Sequence, residues 1–543
     1  MATPTRDPAK QKRGSIDLAT SLAMRAHVTG YENRIAGDGG ANEDGEQVID
    51  ANGGVAPGAL TRTATGKSRY SIQVAAGSST RAPRRLTLKD VRPSNYRAVN
   101  AKDGLPVIRD SSELTAEWLT LVFRKRKYLE EDGQIVEIKK KSIGEGQGEY
   151  GDLSLLTIVK ATGAKPTLPV NLIAKMCPQS ANLPMFMLKG IYLNEAHFYN
   201  DFSVEGGGLP RPECYHVAAD ISASPPKFCF LIENAFLGAM GGDGQSLQYQ
   251  RVDGISNVRH MEMVMDGLAK FHARWWGSGN KKPPMQWAMH PLINFLGLGR
   301  NAVPVLTKQA FKLLPQLMRD EVHPDGTPVT KWGAEYAPIL KWRKPLMKRL
   351  RWVTKQLLRP PLTLCHCDSH LENIFFHERY AGGAAFIDFG NMRFQHALSD
   401  VAFFLGTCLE PEVRREHEMA LLKRYWQQLV ASGDVTDYSW SLCQHDYRMQ
   451  HWCNLMQAIM AAPAYLKQRK QRAGMFAKSP KKSDQMQYDM YAAYNRRCAA
   501  ALVDHDWISV VADAGTSCCP YFCCGCCCCG SGIDAVASPV QAA

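Results

Sequence analysis

Four polar residues in the last third of the chain have the types and spacing that phosphoryl transfer requires. The stretch LTLCHCDSHLENIFF contains His366, Asp368 and Asn373, and Asp388 follows the apolar run AAFI. Phosphoryl transfer needs a carboxylate that orients the acceptor hydroxyl and takes its proton, and oxygen ligands that hold Mg²⁺ on the phosphates. Mg²⁺ prefers carboxylate and amide oxygens, so this spacing permits one aspartate as base and an Asn/Asp pair on the metal. The alternative is a polar turn between two buried strands, in which Asp388 only caps a strand.

The same stretch resembles the Brenner-type motif of the aminoglycoside phosphotransferase and choline-kinase superfamily, especially its ecdysteroid-kinase-like branch. Members carry H-x-D-x-H-x-x-N, then an I/V-D-[FW] strand end, then a D-[LV]-A-x-[FY]-L helix, which SDVAFFL matches here. The resemblance implies that Asp368 is the catalytic base and that Asn373 and Asp388 bind Mg²⁺. It also implies that His366 braces the loop and that Asp400 anchors it from the following helix.

Upstream features occur in the order that this resemblance implies. Gly144, Gly146 and Gly148 form a glycine-rich turn in SIGEGQGEYGD, where backbone without side chains can approach phosphate oxygens closely. Lys175 lies in the apolar run NLIAKMC, and a lysine there needs an anionic partner. By resemblance Lys175 contacts the α- and β-phosphates of ATP, and Glu195 in YLNEAHFYNDF pairs with Lys175. The alternatives are a simple hairpin for the glycines and surface charges for the other two.

Two further segments fit the same pattern. FCFLIENAF resembles the strand that joins the two lobes, and backbone groups from Glu233 to Ala235 are implied to receive adenine. MDGLAKFHARWWG is similar to the family's L-A-x-x-H-A-x-x-W helix. We interpret His272, Trp275 and Trp276 in that helix as mainly structural.

The tripeptide DFG also raises a protein-kinase interpretation, which the spacing disfavours. Only eleven residues separate Asp388 from Asp400, no A-P-E triplet follows, and Asp368 lies 173 positions after Glu195. A protein kinase needs a longer activation segment, whereas a long insertion before the catalytic loop suits a pocket for a small acceptor. Cys367 departs from both patterns, since the family usually has glycine there and protein kinases have arginine.

The elements that must position these residues divide into a strand-rich part and a helical part. Short apolar runs predict strands, and apolar residues at helical spacing predict helices. The strands are expected at 134–138, 153–159, 169–176 and 228–234, and the main helices at 256–277, 305–319, 413–432 and 485–503. With the resemblance, this order predicts an α+β, bilobal protein-kinase-like fold. Its small antiparallel-sheet N-lobe would span 86–235 and its larger helical C-lobe 236–505.

Composition and charge set the remaining expectations. The 543 residues are 45% hydrophobic and 22% charged, which excludes a wholly disordered chain, and the net charge of +13 suits anionic partners such as nucleotides. Residues 1–85 are rich in small and polar types, and we expect them to be disordered. No secretory h-region follows the basic start, so the scattered cysteines are expected to be reduced in a cytoplasmic protein. Targeting to an organelle by the N-terminal extension stays an alternative.

Two features are left unexplained by the kinase interpretation. Ile339 to Arg359 has eight Lys/Arg and no acid, with apolar residues at helical spacing. We interpret it as a C-lobe helix with a solvated outer face, with a membrane or nucleic-acid surface as the alternative. The tail at 506–543 holds eight cysteines between Cys518 and Cys529. This tail could carry palmitoyl groups and give peripheral membrane contact, could bind a soft metal, or could be inert.

Taken together, the residues and the resemblance imply an enzyme that uses ATP and Mg²⁺. It would move the γ-phosphoryl group to a hydroxyl of a small organic molecule, with no nucleic-acid partner. The alternatives are a catalytically silent nucleotide-binding scaffold and, less favoured, a protein kinase. The acceptor and the oligomeric state are not indicated by the sequence.

Overall fold

The computed structural model describes a core of the chain between residues 104 and 513. The described ranges are 104–143, 152–176, 185–202, 208–220, 222–223, 226–240, 244–278, 302–322, 328–330, 334–472 and 482–513. The predicted disordered extension at 1–85, the glycine turn with Gly144, Gly146 and Gly148, and the cysteine cluster at 518–529 lie outside the described residues.

The N-terminal part is a five-stranded antiparallel sheet with the order β1-β2-β3-β5-β4. Its strands are β1 (Leu129–Ile143), β2 (Asp152–Ala164), β3 (Asn171–Met176), β4 (Cys214–Asp220) and β5 (Lys227–Glu233). The helix α1 (Ala116–Lys125) begins where the Thr115 side chain accepts a hydrogen bond from the Trp118 amide. Its apolar face packs with one side of the sheet in a common core.

Strand β3 shows why Lys175 can sit in an apolar run. Leu172, Ala174 and Met176 are buried in the core beneath the sheet, and the residues between them are only half-buried. Since side chains alternate across a strand, Lys175 is on the opposite face, towards the second helix, α2 (Met185–Asp201).

The C-terminal part is mostly helical. Its helices are α3 (Val258–Arg274), α4 (Ala302–Leu317), α5 (Pro338–Lys341), α6 (Arg343–Leu357), α7 (Leu398–Cys408), α8 (Pro411–Ala431), α9 (Trp440–Arg472), α10 (Lys482–Asp504) and α11 (Trp507–Asp513). Every residue of α7 is buried, so this helix forms the centre of the lobe. A second core lies among α4, α5, α6, α9, α10 and α11.

Three short antiparallel strand pairs interrupt the helices. Two hairpin strands, β6 (Glu321–Val322) and β7 (Pro328–Thr330), pair with each other. The other two pairs carry the candidate site: β8 (Leu362–Cys365) with β11 (Arg393–His396), and β9 (Ile374–Phe376) with β10 (Ala384–Phe386).

The structure confirms the α+β, bilobal protein-kinase-like fold predicted from the sequence, with a small antiparallel-sheet N-lobe and a larger helical C-lobe. The segment boundaries given above stay predictions. Within the described part of the chain, no helix is both long and apolar enough to cross a membrane.

Candidate active site

The β9–β10 ribbon brings Asn373 and Asp388 to the same end. Asn373 immediately precedes β9 and Asp388 follows β10 by one residue, and Ile374 lies opposite Phe386 in the antiparallel register. The Ile387 amide donates a hydrogen bond to the Asn373 carbonyl over 3.0 Å. Asn373 and Asp388 are fifteen positions apart in sequence, and the antiparallel pairing of β9 with β10 brings them to the same end of the hairpin.

The side-chain oxygen of Asn373 has the character of a cation ligand. Its Nδ2 group donates to the Asp368 carbonyl over 2.9 Å, which fixes the orientation of the amide. Its Oδ1 atom is buried and has no hydrogen-bond partner among the residues that the structure describes. A buried acceptor without a partner is rare and costly, and a bound cation would remove that cost. Its amide oxygen and the Asp388 carboxylate, at the same end of the β9–β10 ribbon, are a donor set that fits Mg²⁺.

Asp368 lies in the loop between β8 and β9 and is almost fully buried. Asn391 donates to its Oδ2 over 3.0 Å, and its own amide donates to His366 Nδ1 over 3.2 Å. Its pKa is raised to about 7, because burial disfavours the charged carboxylate and Asp388 adds a like charge; Arg251 opposes the shift. A carboxyl with this pKa can accept and release a proton near neutrality.

His366 braces the loop as a neutral ring. Burial lowers its pKa against the opposing effect of Asp400 and Asp388. Its Nε2 donates to the Ile387 carbonyl over 3.0 Å, and its Nδ1 accepts from the Asp368 amide, an assignment that the hydrogen-bond network dictates. The ring thus connects the residue before Asp388 to Asp368.

Asp400, in the first turn of α7, holds the loop from below. Its two oxygens accept hydrogen bonds from the amides of His366 (2.7 Å) and Cys367 (2.8 Å). Burial acts to raise the pKa of Asp400, but the hydrogen bond with His272 and the neighbouring donors hold it below its ordinary value. A fully buried carboxylate with these donors fixes the start of the loop between β8 and β9.

His272 completes this brace. Its Nδ1 lies 2.8 Å from the Tyr425 hydroxyl and its Nε2 lies 3.2 Å from Asp400 Oδ2. His272, Cys365 and Asp400 are close enough together to resemble a metal-binding group. Because His272 and Asp400 already satisfy each other and the loop amides, we interpret the cluster as structural.

Cys367 has a left-handed backbone conformation, with φ of 64°. Glycine adopts this region freely, and other residues do so at a cost. The family's usual glycine therefore has a physical reason, and the small cysteine side chain is accommodated at this buried position.

Lys175 contacts both acidic residues expected near the phosphates. Its Nζ lies 2.8 Å from Glu195 Oε2 and 3.6 Å from Asp388 Oδ1. Glu195 is only 1% exposed, and burial raises its pKa while Lys175 opposes that rise. The ion pair links β3 to α2, and its lysine reaches across to the end of β10.

Helix α2 is also packed directly against the DFG turn. Phe389 stacks on Phe198 with ring centroids 4.0 Å apart. A Cβ at Gly390 would lie 2.5 Å from Ile191 Cγ2, so only glycine allows this approach. Asn194 donates to the Gly390 carbonyl over 3.3 Å. These contacts hold Glu195 and Asp388 in a fixed relation.

The strand end after β5 carries the residues expected to receive adenine. The Glu233 amide donates to the Glu213 carbonyl, and the Ala235 carbonyl accepts from the Ser246 hydroxyl over 2.7 Å and from Arg379. The amide of Ala235 has no hydrogen-bond acceptor among the described residues. One backbone donor is thus free at this strand end.

The structure brings the predicted site residues together: Lys175, Glu195, His366, Asp368, Asn373 and Asp388. Their roles stay predictions. Three contributors were missed. Asn391 holds Asp368, the buried Arg251–Glu372 pair (2.7 Å) supports the loop, and Arg379 covers the strand end near Glu233. Asn391 has a sequence signal, its position directly after DFG. The other two pair with residues more than 100 positions away and have none.

Comparison with known proteins gives a family for this arrangement. Residues 152–438 match the family model described as ecdysteroid kinase-like. No curated protein sequence matches the chain.

Similar solved structures include three kinases of small molecules. Ethanolamine kinase from Plasmodium vivax is 13% identical, with a TM-score of 0.33, over 65% of this chain and 80% of that one. Choline kinase from Cryptosporidium parvum Iowa II is 12% identical, with a TM-score of 0.38, over 73% and 96%. Aminoglycoside 2'-phosphotransferase IIIa, solved with GDP, is 11% identical, with a TM-score of 0.37, over 69% and 98%. Likenesses this low carry no information on the substrate.

Proposed function

The chain belongs to the ecdysteroid kinase-like family, and from this premise we propose that it transfers the γ-phosphoryl group of ATP to a hydroxyl of a small organic molecule. The observation that carries the proposal is the position of Lys175. Its Nζ lies 2.8 Å from Glu195 and 3.6 Å from Asp388. The proposed phosphate-binding lysine therefore lies next to the proposed metal-binding aspartate. In kinases both features must be in place for activity.

The nucleotide would lie between the two lobes. Lys175 would bind the α- and β-phosphates, held in position by Glu195, and Gly144, Gly146 and Gly148 would bring backbone amides to the phosphates. The free amide of Ala235 is a suitable donor to a ring nitrogen of adenine. The segment from Glu233 to Ala235 is therefore the proposed adenine site.

Asn373 and Asp388 are the proposed Mg²⁺ ligands, through Oδ1 of the amide and the carboxylate. A metal ion held there would supply positive charge to neutralise the charge that develops on the phosphates. The unpartnered, buried Oδ1 of Asn373 supports this assignment. The hydrogen bond from Asn373 to the Asp368 carbonyl ties the metal side of the site to the base.

Asp368 is the proposed base. As the bond from the acceptor oxygen to the γ-phosphorus forms and the bond to ADP breaks, the hydroxyl proton passes to the Asp368 carboxylate. Asn391 holds Oδ2 of that carboxylate, which orients Oδ1 for the acceptor. Its pKa of about 7 suits proton transfer at neutral pH.

A protein acceptor is disfavoured by the segment after DFG. Phe389–Asn391 form a single 3₁₀ turn, and the chain then enters β11, which pairs with β8, before α7 begins at Leu398. The turn, the strand and the start of the helix account for the segment between Asp388 and Asp400, which leaves no room for an activation segment. A silent scaffold is disfavoured because Lys175, Asp368, Asn373 and Asp388 are all present.

The test is phosphoryl transfer from Mg²⁺-ATP into a broad panel of hydroxyl metabolites, including choline, ethanolamine, sterol-like alcohols, sugars and aminoglycosides, read by mass spectrometry. We expect one class of product that is heavier by one phosphoryl group, with ADP formed in equal amount. If no acceptor in the panel reacts and Mg²⁺-ATP still raises the melting temperature, the result favours the alternative, a nucleotide-binding scaffold without this activity. Absence of both effects would overturn the proposal.

A further inference from the structure

Helices α5 and α6 present a strongly basic surface that the phosphotransfer site does not use. Six exposed side chains form this surface, which we call the basic face: Lys341, Arg343, Lys344, Lys348, Arg351 and Lys355. No acidic residue occurs between Ile339 and Arg359. The sequence therefore places only one sign of charge on about five turns of helix.

The buried apolar residues on the opposite side of α6 explain why its basic side chains face outward. Leu346, Leu350, Val353 and Leu357 are buried in the second C-lobe core, at spacings of three and four residues. This apolar stripe fixes the rotation of α6, so its basic residues must point away from the protein. Four of them, with Met347, line a shallow open depression: Lys341, Arg343, Lys344 and Lys348.

The charges of the basic face are not neutralised within the described part of the protein. Some arginines elsewhere on the C-lobe have acidic partners, for example the exposed Arg415 with Asp504 and the half-buried Arg424 with Asp266, both at 2.8 Å. At the end of α6, Arg359 pairs with Asp446. None of the six residues of the basic face has an acidic partner among the described residues. Like charges one turn apart on a helix repel each other, and an anionic surface would relieve that repulsion.

The position of the C-terminal tail indicates which anionic surface this is. Helix α11 packs against the start of α6, where the rings of Trp507 and Trp342 stack with centroids 6.2 Å apart. The chain then continues from Asp513, and the first cysteine of the cluster is Cys518. Five residues span at most about 18 Å, which is the upper limit on the distance from the end of α11 to the first cysteine.

Cysteines near a membrane are sites of reversible S-acylation. A single acyl chain binds a bilayer only weakly, and stable attachment needs a second signal such as a basic patch. A basic face and a cysteine cluster attached to the same small group of helices form such a pair. Nucleic acid would explain the basic face but not the cysteines.

We propose that the basic face binds the anionic headgroups of a phospholipid bilayer and so places the C-terminal cysteine cluster at the membrane surface. This binding is independent of the proposed phosphotransfer and would persist in an inactive variant. Each basic residue near an anionic bilayer strengthens binding about fivefold, so three of them together contribute about a hundredfold.

The test is co-sedimentation of the full-length, unacylated chain with vesicles of phosphatidylcholine alone or with 30% phosphatidylserine. We expect binding to the anionic vesicles only, weakened at high salt because exposed charges are screened. The triple variant Lys341→Gln, Lys344→Gln, Lys348→Gln should bind about a hundredfold more weakly.

The matched control removes the same charge from the other lobe: Lys139→Gln, Lys141→Gln, Lys160→Gln, three exposed lysines of β1 and β2. It should bind like wild type, and both triple variants should keep the wild-type melting temperature. The proposal is overturned by equal binding to neutral vesicles, by no binding to anionic vesicles, or by an equal loss in the control. Binding to a DNA or RNA duplex instead of vesicles, lost in the first triple variant, would also overturn it.

Discussion

Asn391 donates its side-chain amide to Oδ2 of Asp368 over 3.0 Å. The donor lies in the 3₁₀ turn that follows Asp388, and the acceptor lies in the loop after β8. The turn that directly follows a proposed metal ligand therefore also orients the proposed base. Movement of this turn would therefore displace both the Asp388 carboxylate and the Asp368 carboxylate.

Replacing Asn391 with Ala should lower kcat by about tenfold and leave the KM for ATP within about twofold. The Asp368 carboxylate would lose its orientation but stay in place, and a positioned base contributes about 10²–10⁴-fold in total. Steady-state kinetics on the identified acceptor measure both parameters. Asn200→Ala, an exposed site on α2, is the control, and an unchanged kcat in Asn391→Ala would remove the residue from the mechanism.

Lys175→Met should lower kcat/KM for ATP by at least about a hundredfold, the scale expected when a preorganised charge on the reacting phosphates is removed. It also leaves Glu195 buried without its cation, at a cost of about 3–5 kcal/mol in unfolding free energy. The double variant Lys175→Met, Glu195→Gln should recover part of that stability and none of the activity. Lys160→Met, on the exposed side of β2, serves as control. Recovery of activity in the double variant would contradict the role of Lys175 in phosphate binding.

Cys367→Gly and Cys367→Val should differ in stability because of the backbone at this position. Glycine adopts φ of 64° without strain, so the first variant should stay within about 1 kcal/mol of wild type. Valine is β-branched and poorly tolerated in the left-handed region, so the second should lose about 2 kcal/mol. Denaturant unfolding measures both, with Cys453→Val in the helix α9 as control. Equal stability of the glycine and valine variants would show that the strain is absent.

Asp400 should make the stability of the protein depend on pH in a defined direction. Its folded-state pKa is held below the ordinary value of 3.8, so its stabilisation is fully present above pH 4 and is lost as pH falls through the folded value. Asp400→Asn should cost about 3 kcal/mol at pH 7. The difference between wild type and variant should shrink below pH 4, as measured by denaturant unfolding at several pH values. A difference that grows in acid would contradict the assignment.

The sequence predicted the fold, and it indicated the candidate site because several of its residues lie in short, distinctive segments of the chain. His366, Asp368 and Asn373 lie within one loop, where their spacing permits the proposed chemistry and the family resemblance implies it. Strand β1 was predicted only at 134–138, yet it spans Leu129–Ile143. The two ends of β1 are polar and lack the alternating apolar residues that predict a strand. They are extended because they pair with β2.

The contacts that the sequence did not reveal are long-range. Arg251 and Glu372 are 121 residues apart, and each has ordinary neighbours in sequence. Only the folded arrangement shows that a buried ion pair supports the loop between β8 and β9. The free amide of Ala235 and the unpartnered oxygen of Asn373 are likewise properties of packing.

The most direct test of the account is Asp368→Asn, measured both for phosphoryl transfer and for binding of Mg²⁺-ATP. Asparagine keeps the size and the hydrogen-bonding capacity of the side chain but cannot take the acceptor proton. The account predicts that kcat falls by at least about a hundredfold, while the Kd for Mg²⁺-ATP, measured by calorimetry, stays within about twofold. Turnover at the wild-type rate would contradict the assignment of Asp368 as the base.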